Sequence, residues 1–570
     1  MGSSPGARRA WVGAAVGLVL GVLVLGPALA PGYTLHYDMV FVPELPLGAH
    51  TLGTDGHVPR AVPNDLLVAL ASTVLPGWVV QKGFLLGCFT LGGAGAARLA
   101  GTVPGAVAAA TWWSWNPWVG ERLGIGHWGY LIGFALLPWV LLAAARLRRR
   151  EPGATTGLLG SLTVAALGGS TPGVLATLLA LVVLLVPVPG HRVRLRPLLP
   201  VLTVSLAANA AWWWPFLTAS SKAADPGGAA AFAARADTPF GVGGSLLLGG
   251  GLWNDRTWFT ERTTLPFALV ALLAVLGLLV LALRRRGWWQ DPLPLGVSVA
   301  GALGLVLAGV AALPGGTALL GWLIEVVPGA GLLRDGQKFL ALWVLLLAVA
   351  IARVVDRLAA APRPFLVAAT VWPVATLPTL AWGHVGQWGS VDWPAEVTTV
   401  AERVGADGGP VAVFPWSTYR RYAWNGDRVV LDPWDRLLPG RVISSDDLPL
   451  RDGSVTGEDP EAAAVGRALA DGSDVPDLLR ELGVRHVIVQ TDQPAPPGSV
   501  PDLTGEDVTR VGDLAVYDLG PTSTAEPDVP VTAALGLVGT GGAVVLSALL
   551  GVRRWRRRTE TETTARSARA

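Results

Sequence analysis

Long apolar stretches alternate along this chain with short polar connectors, and every second connector is rich in arginine. Arg8 and Arg9 precede the first stretch. Arg146, Arg148, Arg149 and Arg150 close a later one, followed by Arg192, Arg194 and Arg196. Arg284, Arg285 and Arg286 come next, then Arg353 and Arg357, and the run Arg553, Arg554, Arg556, Arg557 and Arg558 follows the last stretch. Arginine retained at the cytoplasmic ends of membrane spans produces this alternation. A crossing needs about 20 apolar residues to cover roughly 30 Å of hydrocarbon. On that measure the spans fall near 11–31, 78–97, 102–115, 128–146, 155–169, 172–189, 198–216, 265–283, 293–313, 339–356, 363–382 and 531–552. The pattern predicts a polytopic α-helical membrane protein of about 12 transmembrane helices, with both termini in the cytoplasm. The first stretch has a second reading as a cleavable signal peptide, with Arg8 and Arg9 ahead of an apolar core and Ala28-Leu29-Ala30 behind it.

Three connectors on the outer side are long. The first, 32–77, carries the polar residues closest to the first span, and its far end from Asp65 to Leu75 suits a helix lying along the membrane surface. The second is 217–262, ending in Trp253-Asn254-Asp255-Arg256-Thr257-Trp258. The third, 384–530, has the composition of a soluble domain: 11 Arg, no Lys and 25 Asp plus Glu, a formal charge of −14. Val411 to Trp416, Arg485 to Gln490 and Leu514 to Leu519 read as strands, and Asp474 to Leu482 as a helix. That order predicts a small extracytoplasmic α/β domain. The chain then divides into a membrane domain over 1–383, the acidic domain 384–530, a final span 531–552 and a basic cytoplasmic tail 553–570, polar and disordered from Thr559.

Composition agrees with this reading. Of 570 residues, 51% are hydrophobic, and the mean hydropathy of +0.49 is too high for a soluble globule of this size. The 25 Trp outnumber the 6 Tyr and 12 Phe together, and many sit at span ends, where indole prefers the headgroup layer. The single cysteine, Cys88, excludes an intramolecular disulfide and a cysteine-built zinc site. No P-loop, dinucleotide fingerprint or HExxH occurs, so neither a cofactor nor a metal is expected. The acidity of the outer domain argues against nucleic acid as a partner.

Candidate chemistry concentrates at the outer ends of the spans. Asp38, in Leu35-His36-Tyr37-Asp38-Met39-Val40, follows the first span closely. Partial desolvation there is expected to raise its pKa and make it a better base; a solvated loop aspartate is the plain alternative. The connector Asn116-Pro117-Trp118-Val119-Gly120-Glu121-Arg122, then Gly126-His127-Trp128, gathers a carboxylate, a guanidinium and an imidazole among tryptophans. Such a set can hold phosphate and stack on sugar, or form an aromatic belt with a Glu121–Arg122 surface pair. In Gly331 to Phe339, Arg334 and Lys338 are four apart and suit a phosphate at the interface; snorkelling toward headgroups is the alternative. In the outer domain, Trp416, Tyr419 and Trp434 mix with Arg and Asp in a manner suited to carbohydrate, or to docking on the membrane part.

A first outer loop with an early Asp, many spans and a C-terminal outer domain together resemble the GT-C membrane glycosyltransferases, and within them the actinobacterial arabinofuranosyltransferase-like proteins. The likeness is carried by Asn116 to Trp128, by Gly168-Gly169-Ser170-Thr171-Pro172 and by Leu333-Arg334-Asp335-Gly336-Gln337-Lys338-Phe339, and covers roughly residues 10–380. The resemblance implies a polyprenyl-phosphate sugar donor, a cell-envelope glycan acceptor outside the membrane, and inversion at the anomeric carbon. It implies Asp38 as the base on the acceptor hydroxyl. Arg122, His127, Arg334 and Lys338 are then expected to stabilise the departing phosphate, with Glu121 orienting Arg122. Glu44, six residues beyond Asp38, joins Trp416, Tyr419 and Trp434 on the acceptor side. High Ala, Gly and Arg with scarce Lys fits a GC-rich actinobacterial genome. A non-catalytic scaffold and a lipid or glycan flippase are the other classes. Against the flippase stands the scarcity of ionisable residues at mid-depth in the central spans.

Overall fold

The computed structural model describes residues 4–55, 58–59, 61–219, 224–358, 361–450, 453–521 and 531–567. Each of the twelve apolar stretches is helical. Among the described residues, six helices are long and apolar enough to cross a membrane: Pro5–Leu29, Trp128–Arg148, Leu265–Leu283, Pro292–Ala312, Gly336–Arg357 and Ala534–Arg556. A bent pair, Arg363–Thr376 with Pro378–Gly386, turns by 66° and makes up to seven. The count of about twelve is therefore not reproduced by length and composition. The remaining stretches form helices that are shorter or less apolar: Gly77–Ala97, Val103–Ser114, Ala154–Ala166, Ser170–Leu185 and Leu198–Ala208. The 13 residues of Ala154–Ala166 rise only about 20 Å at 1.5 Å each, less than the hydrocarbon thickness. The last helix runs on from Val531 to Ser567, so the polar tail continues it as helix rather than as disordered chain.

Packing explains why so apolar a chain adopts one arrangement. Every residue from Ala341 to Ala352 is buried, which makes this helix the central post. The first helix meets Gly77–Ala97 through small residues; a Cβ on Gly17 would lie 2.2 Å from the Phe89 carbonyl oxygen. Small side chains allow that approach, and dispersion between close backbones holds spans together where lipid supplies no hydrophobic drive.

The acidic part forms nine short strands: β1 (Val411–Phe414), β2 (Tyr419–Arg421), β3 (Val429–Leu431), β4 (Val442–Ile443), β5 (Leu448–Leu450), β6 (Gly453–Val455), β7 (His486–Gln490), β8 (Asp507–Val511) and β9 (Leu514–Asp518). Five of them build one sheet in the order β4-β1-β7-β9-β8, parallel across β4, β1 and β7 and antiparallel beyond. Alternation along β1 sends side chains to opposite faces. Ala412 and Phe414 join Val465, Val475 and Leu479 under the helices Pro460–Asp471 and Val475–Glu481. Val411 and Val413 pack instead with Val397, Val400 and Val404 of helix Ala395–Asp407. The strands and the helix expected from the sequence are all present.

This part is stitched to the membrane helices. Tyr33 and Val391 exchange backbone hydrogen bonds of 2.7 and 2.9 Å, and the Leu431 amide donates to the Tyr37 carbonyl at 2.8 Å. The Asn425 amide donates to the Leu35 carbonyl at 3.1 Å, and Arg436 pairs with Asp65 at 3.0 Å. The chain just after the first helix thus lies against β3.

Candidate active site

Asp38 sits on a tight turn whose backbone is unusual. His36 and Met39 bond to each other across it, with the Met39 amide donating to the His36 carbonyl at 2.9 Å. Tyr37 takes φ +43°, a conformation L residues adopt at a cost and one found at functional turns. The connector 116–128 closes against this turn. Its short helix Pro117–Gly124 ends at Ile125, whose carbonyl accepts from the Asp38 amide at 3.2 Å. Gly126 then turns at φ +85°, where a Cβ would stand 2.2 Å from the Met39 nitrogen. Only glycine lets the two loops approach so closely.

That approach brings His127 onto Asp38. The imidazole Nε2 lies 3.2 Å from Asp38 Oδ2, and the Tyr419 hydroxyl, arriving from β2, donates to Asp38 Oδ1 at 2.9 Å. Behind His127, its Nδ1 is 2.9 Å from Arg122 Nη1. Arg122 in turn donates to both oxygens of Asp335, at 2.6 and 3.2 Å, and to Gln337 Oε1. Gln337 Nε2 donates to Glu121 Oε2 at 2.9 Å, and Glu121 also accepts from the amides of Gly251 and Leu252 at 3.2 Å each.

In front of Asp38 opens a cavity of about 1030 Å³, at the large end for small-molecule sites. Asp38, His127, Arg334, Lys338, Tyr419 and Glu458 are among its polar lining residues. Its lining also includes the aromatic residues Trp212, Trp213 and Phe216 and the aliphatic residues Leu323, Ile324 and Val327. Residues from all three sequence motifs line it: Ile125 to Trp128, Gly168 to Thr171 and Leu333 to Asp335 with Lys338 and Phe339.

The expected site residues divide. Asp38, His127, Arg334, Lys338 and Tyr419 face the cavity together. Arg334 pairs with Glu458 at 2.9 Å, while Lys338, only 4% exposed, makes no hydrogen bond or ion pair among the described residues. Arg122 does not line the cavity. It is fully buried behind the wall, its two terminal nitrogens engaged by Asp335, Gln337 and His127, so it does not reach a phosphate there. Glu121 does not touch Arg122; it orients it at one remove, through Gln337. On the acceptor side, Glu44 is exposed and off the cavity. Trp434 is buried in the main core, and Trp416 packs on Phe414 in the outer core; neither lines the cavity. The residues the sequence left unassigned are Asp335 and Gln337, visible in the motif but not separable there from Arg334 and Lys338.

Charge follows contact. Burial pushes the Asp38 carboxyl up, but the hydrogen bonds from His127 and Tyr419 outweigh it, leaving the group below its ordinary value. The rise expected from desolvation alone is thus reversed: Asp38 is held as a carboxylate. Glu121 goes the other way. Burial and then the neighbouring Asp237 carboxylate push it well above the ordinary range, and Asp237, paired with Arg262, keeps the charge.

No protein-family model matches the sequence, and no curated protein matches it. Solved structures do. The cryo-EM structure of the arabinofuranosyltransferase AftD from Mycobacteria matches with a TM-score of 0.53 at 18% identity, over 92% of this chain and 40% of that one. The chain shares its fold with the arabinofuranosyltransferase AftD. A structure of a mutant of the same enzyme agrees, with a TM-score of 0.55 at 17% identity, over 92% of this chain and 42% of that one. The chain thus spans well under half the length of AftD. At this identity the likeness is one of fold, and with the apolar helices it marks a multi-pass membrane protein.

Proposed function

We propose that the chain is a membrane glycosyltransferase that moves a sugar from a polyprenyl-phosphate donor to a hydroxyl of an extracytoplasmic cell-envelope glycan. The observation that supports this most is one cavity whose lining joins a carboxylate, Asp38, and an ammonium without a hydrogen-bonded partner among the described residues, Lys338, to aromatic and aliphatic side chains. A lipid-linked sugar phosphate combines the same two characters. Asp38 takes the proton of the acceptor hydroxyl as its oxygen bonds to C1 of the sugar. The C1–O bond to phosphate breaks on the opposite face, its electron pair leaving with the phosphate, and inversion follows. Lys338 and Arg334 stabilise the charge that grows on the leaving phosphate. His127, whose Nε2 is spent on Asp38, holds the base rather than the phosphate. No metal or cofactor enters the scheme. In this reading the outer domain, residues 384–530, is extracytoplasmic and both termini are cytoplasmic, since the site stands at the membrane end facing that domain.

The likeness to AftD favours an arabinofuranosyl donor among such lipids. The test is incubation of purified protein with radiolabelled polyprenyl-phosphate sugars and cell-wall acceptors. Transfer is expected with the wild type and lost in Asp38→Asn, which keeps the turn and its size. Full activity of the Asn variant would end the proposal.

A further inference from the structure

We propose that Arg122 is a positioning residue that acts through His127, fixing the imidazole in the tautomer whose Nε2–H is aimed at Asp38. The inference rests on the preceding reading only in taking Asp38 as the base; the hydrogen-bond directions stand by themselves.

A guanidinium has donors and no acceptor. With Arg122 Nη1 at 2.9 Å, His127 Nδ1 must accept, and the ring's proton is therefore on Nε2. That proton is the one directed at Asp38 Oδ2, 3.2 Å away. The same logic fixes Gln337: its oxygen faces Arg122 and must accept, so its NH₂ group faces Glu121 and donates. The direction of each link is thus fixed: the amides of Gly251 and Leu252 and the NH₂ group of Gln337 donate to Glu121, and Arg122 donates to Gln337 and to His127. The fork onto Asp335 sets the plane of the guanidinium and balances its charge. Local chain geometry adds a clamp, since the His127 amide also donates to the Arg122 carbonyl at 2.9 Å. Tyr130, whose ring centre lies 4.6 Å from that of His127, closes another side.

This arrangement restricts where the acceptor's proton goes. Asp38 cannot hand it to His127, because Nε2 already carries a proton and the Nδ1 lone pair is occupied by Arg122. The proton stays on the carboxyl until it leaves through the cavity. Arg122 therefore serves the geometry and charge of the base, and contributes nothing to holding the donor.

The test has an arm that needs no substrate. Full-length protein labelled with nitrogen-15 histidine, in lipid nanodiscs at neutral pH, is expected to give one ring with a protonated Nε2 and a bare Nδ1. It is assigned by its loss in His127→Gln or, where that variant does not fold, by its shift in Asp38→Asn. A proton on Nδ1 instead overturns the proposal. The second arm compares Arg122→Lys, which keeps a donor but loses the fork. We expect kcat to fall roughly tenfold or more while KM for the lipid donor stays within about twofold. A raised KM with kcat retained would place Arg122 in donor binding and overturn the assignment. Should the tautomer be as stated and no donor be turned over, the failure lies with the transfer reaction and not with the positioning.

Discussion

Arg122, in the connector helix Pro117–Gly124, and Lys338, in the first turn of Gly336–Arg357, are both buried cations beside aromatic side chains, and their situations are opposite. Arg122 is tied to Asp335, Gln337 and His127. Lys338 touches the Phe339 ring and the open cavity. A guanidinium in a closed set of acceptors is structure; an ammonium left without one is an invitation to an anion. The difference lies in what surrounds each charge rather than in the charge.

Breaking the closed set should cost most. Asp335→Ala leaves Arg122 buried without its counter-charge, a change that costs about 3–5 kcal/mol, to be read as a lowered melting point or loss of monodisperse protein. A wild-type melting curve would mean that Asp335 is not what compensates the guanidinium. Lys338→Met sharpens the contrast from the other side. It should fold at least as well as the wild type, because a desolvated charge is gone, and lose about 10²- to 10³-fold in transfer rate. If it instead unfolds while keeping its specific activity, the two cations have been assigned the wrong way round.

Tyr419→Phe is expected to act less strongly, removing one donor to a charged acceptor and costing roughly tenfold in rate. Its signature lies in the pH profile. Asp38 is held below its ordinary value by its donors, so activity persists as pH falls toward that value. Without the Tyr419 hydroxyl the pKa rises and the acid limb moves to higher pH. An unchanged limb would mean that Tyr419 does not tune the base. The smallest effect concerns Asp435 in the outer domain, which burial raises to about 6 against the attraction of His50. A raised folded-state pKa means that the ionised form is disfavoured in the fold, a penalty present at pH 7 and absent below the ordinary carboxylate range. Asp435→Asn should therefore raise Tm by about 1–2 °C at pH 7 and leave it unchanged at pH 3.

Much of this molecule was legible in its sequence. Each apolar stretch became a helix, which satisfies its own backbone, and β1, β7 and β9 of the outer sheet fell where the sequence placed strands, while β4 and β8 did not announce themselves. The number of crossings did not follow, because a run such as Ala154–Ala166 is apolar enough to be buried yet too short to span. In the candidate site, residues of the three motifs line one cavity. Their internal division of labour was hidden, because it is set by partners far away along the chain. Tyr419 lies 381 residues from Asp38, and Gly251 lies 130 from Glu121. No local pattern announces a hydrogen bond of that span. The same distance explains the pKa of Asp38: proximity to the membrane suggested desolvation alone, and its donors arrive from elsewhere.

The strip of backbone from Tyr33 to Met39 belongs to two neighbourhoods at once, paired with Val391 and β3 on one side and carrying Asp38 to the His127 ring on the other. Any chimera that exchanges the outer portion between proteins of this fold therefore also exchanges a phenol that touches Asp38. Grafts that respect this would carry residues 33–39 and the β2–β3 hairpin as a single cassette.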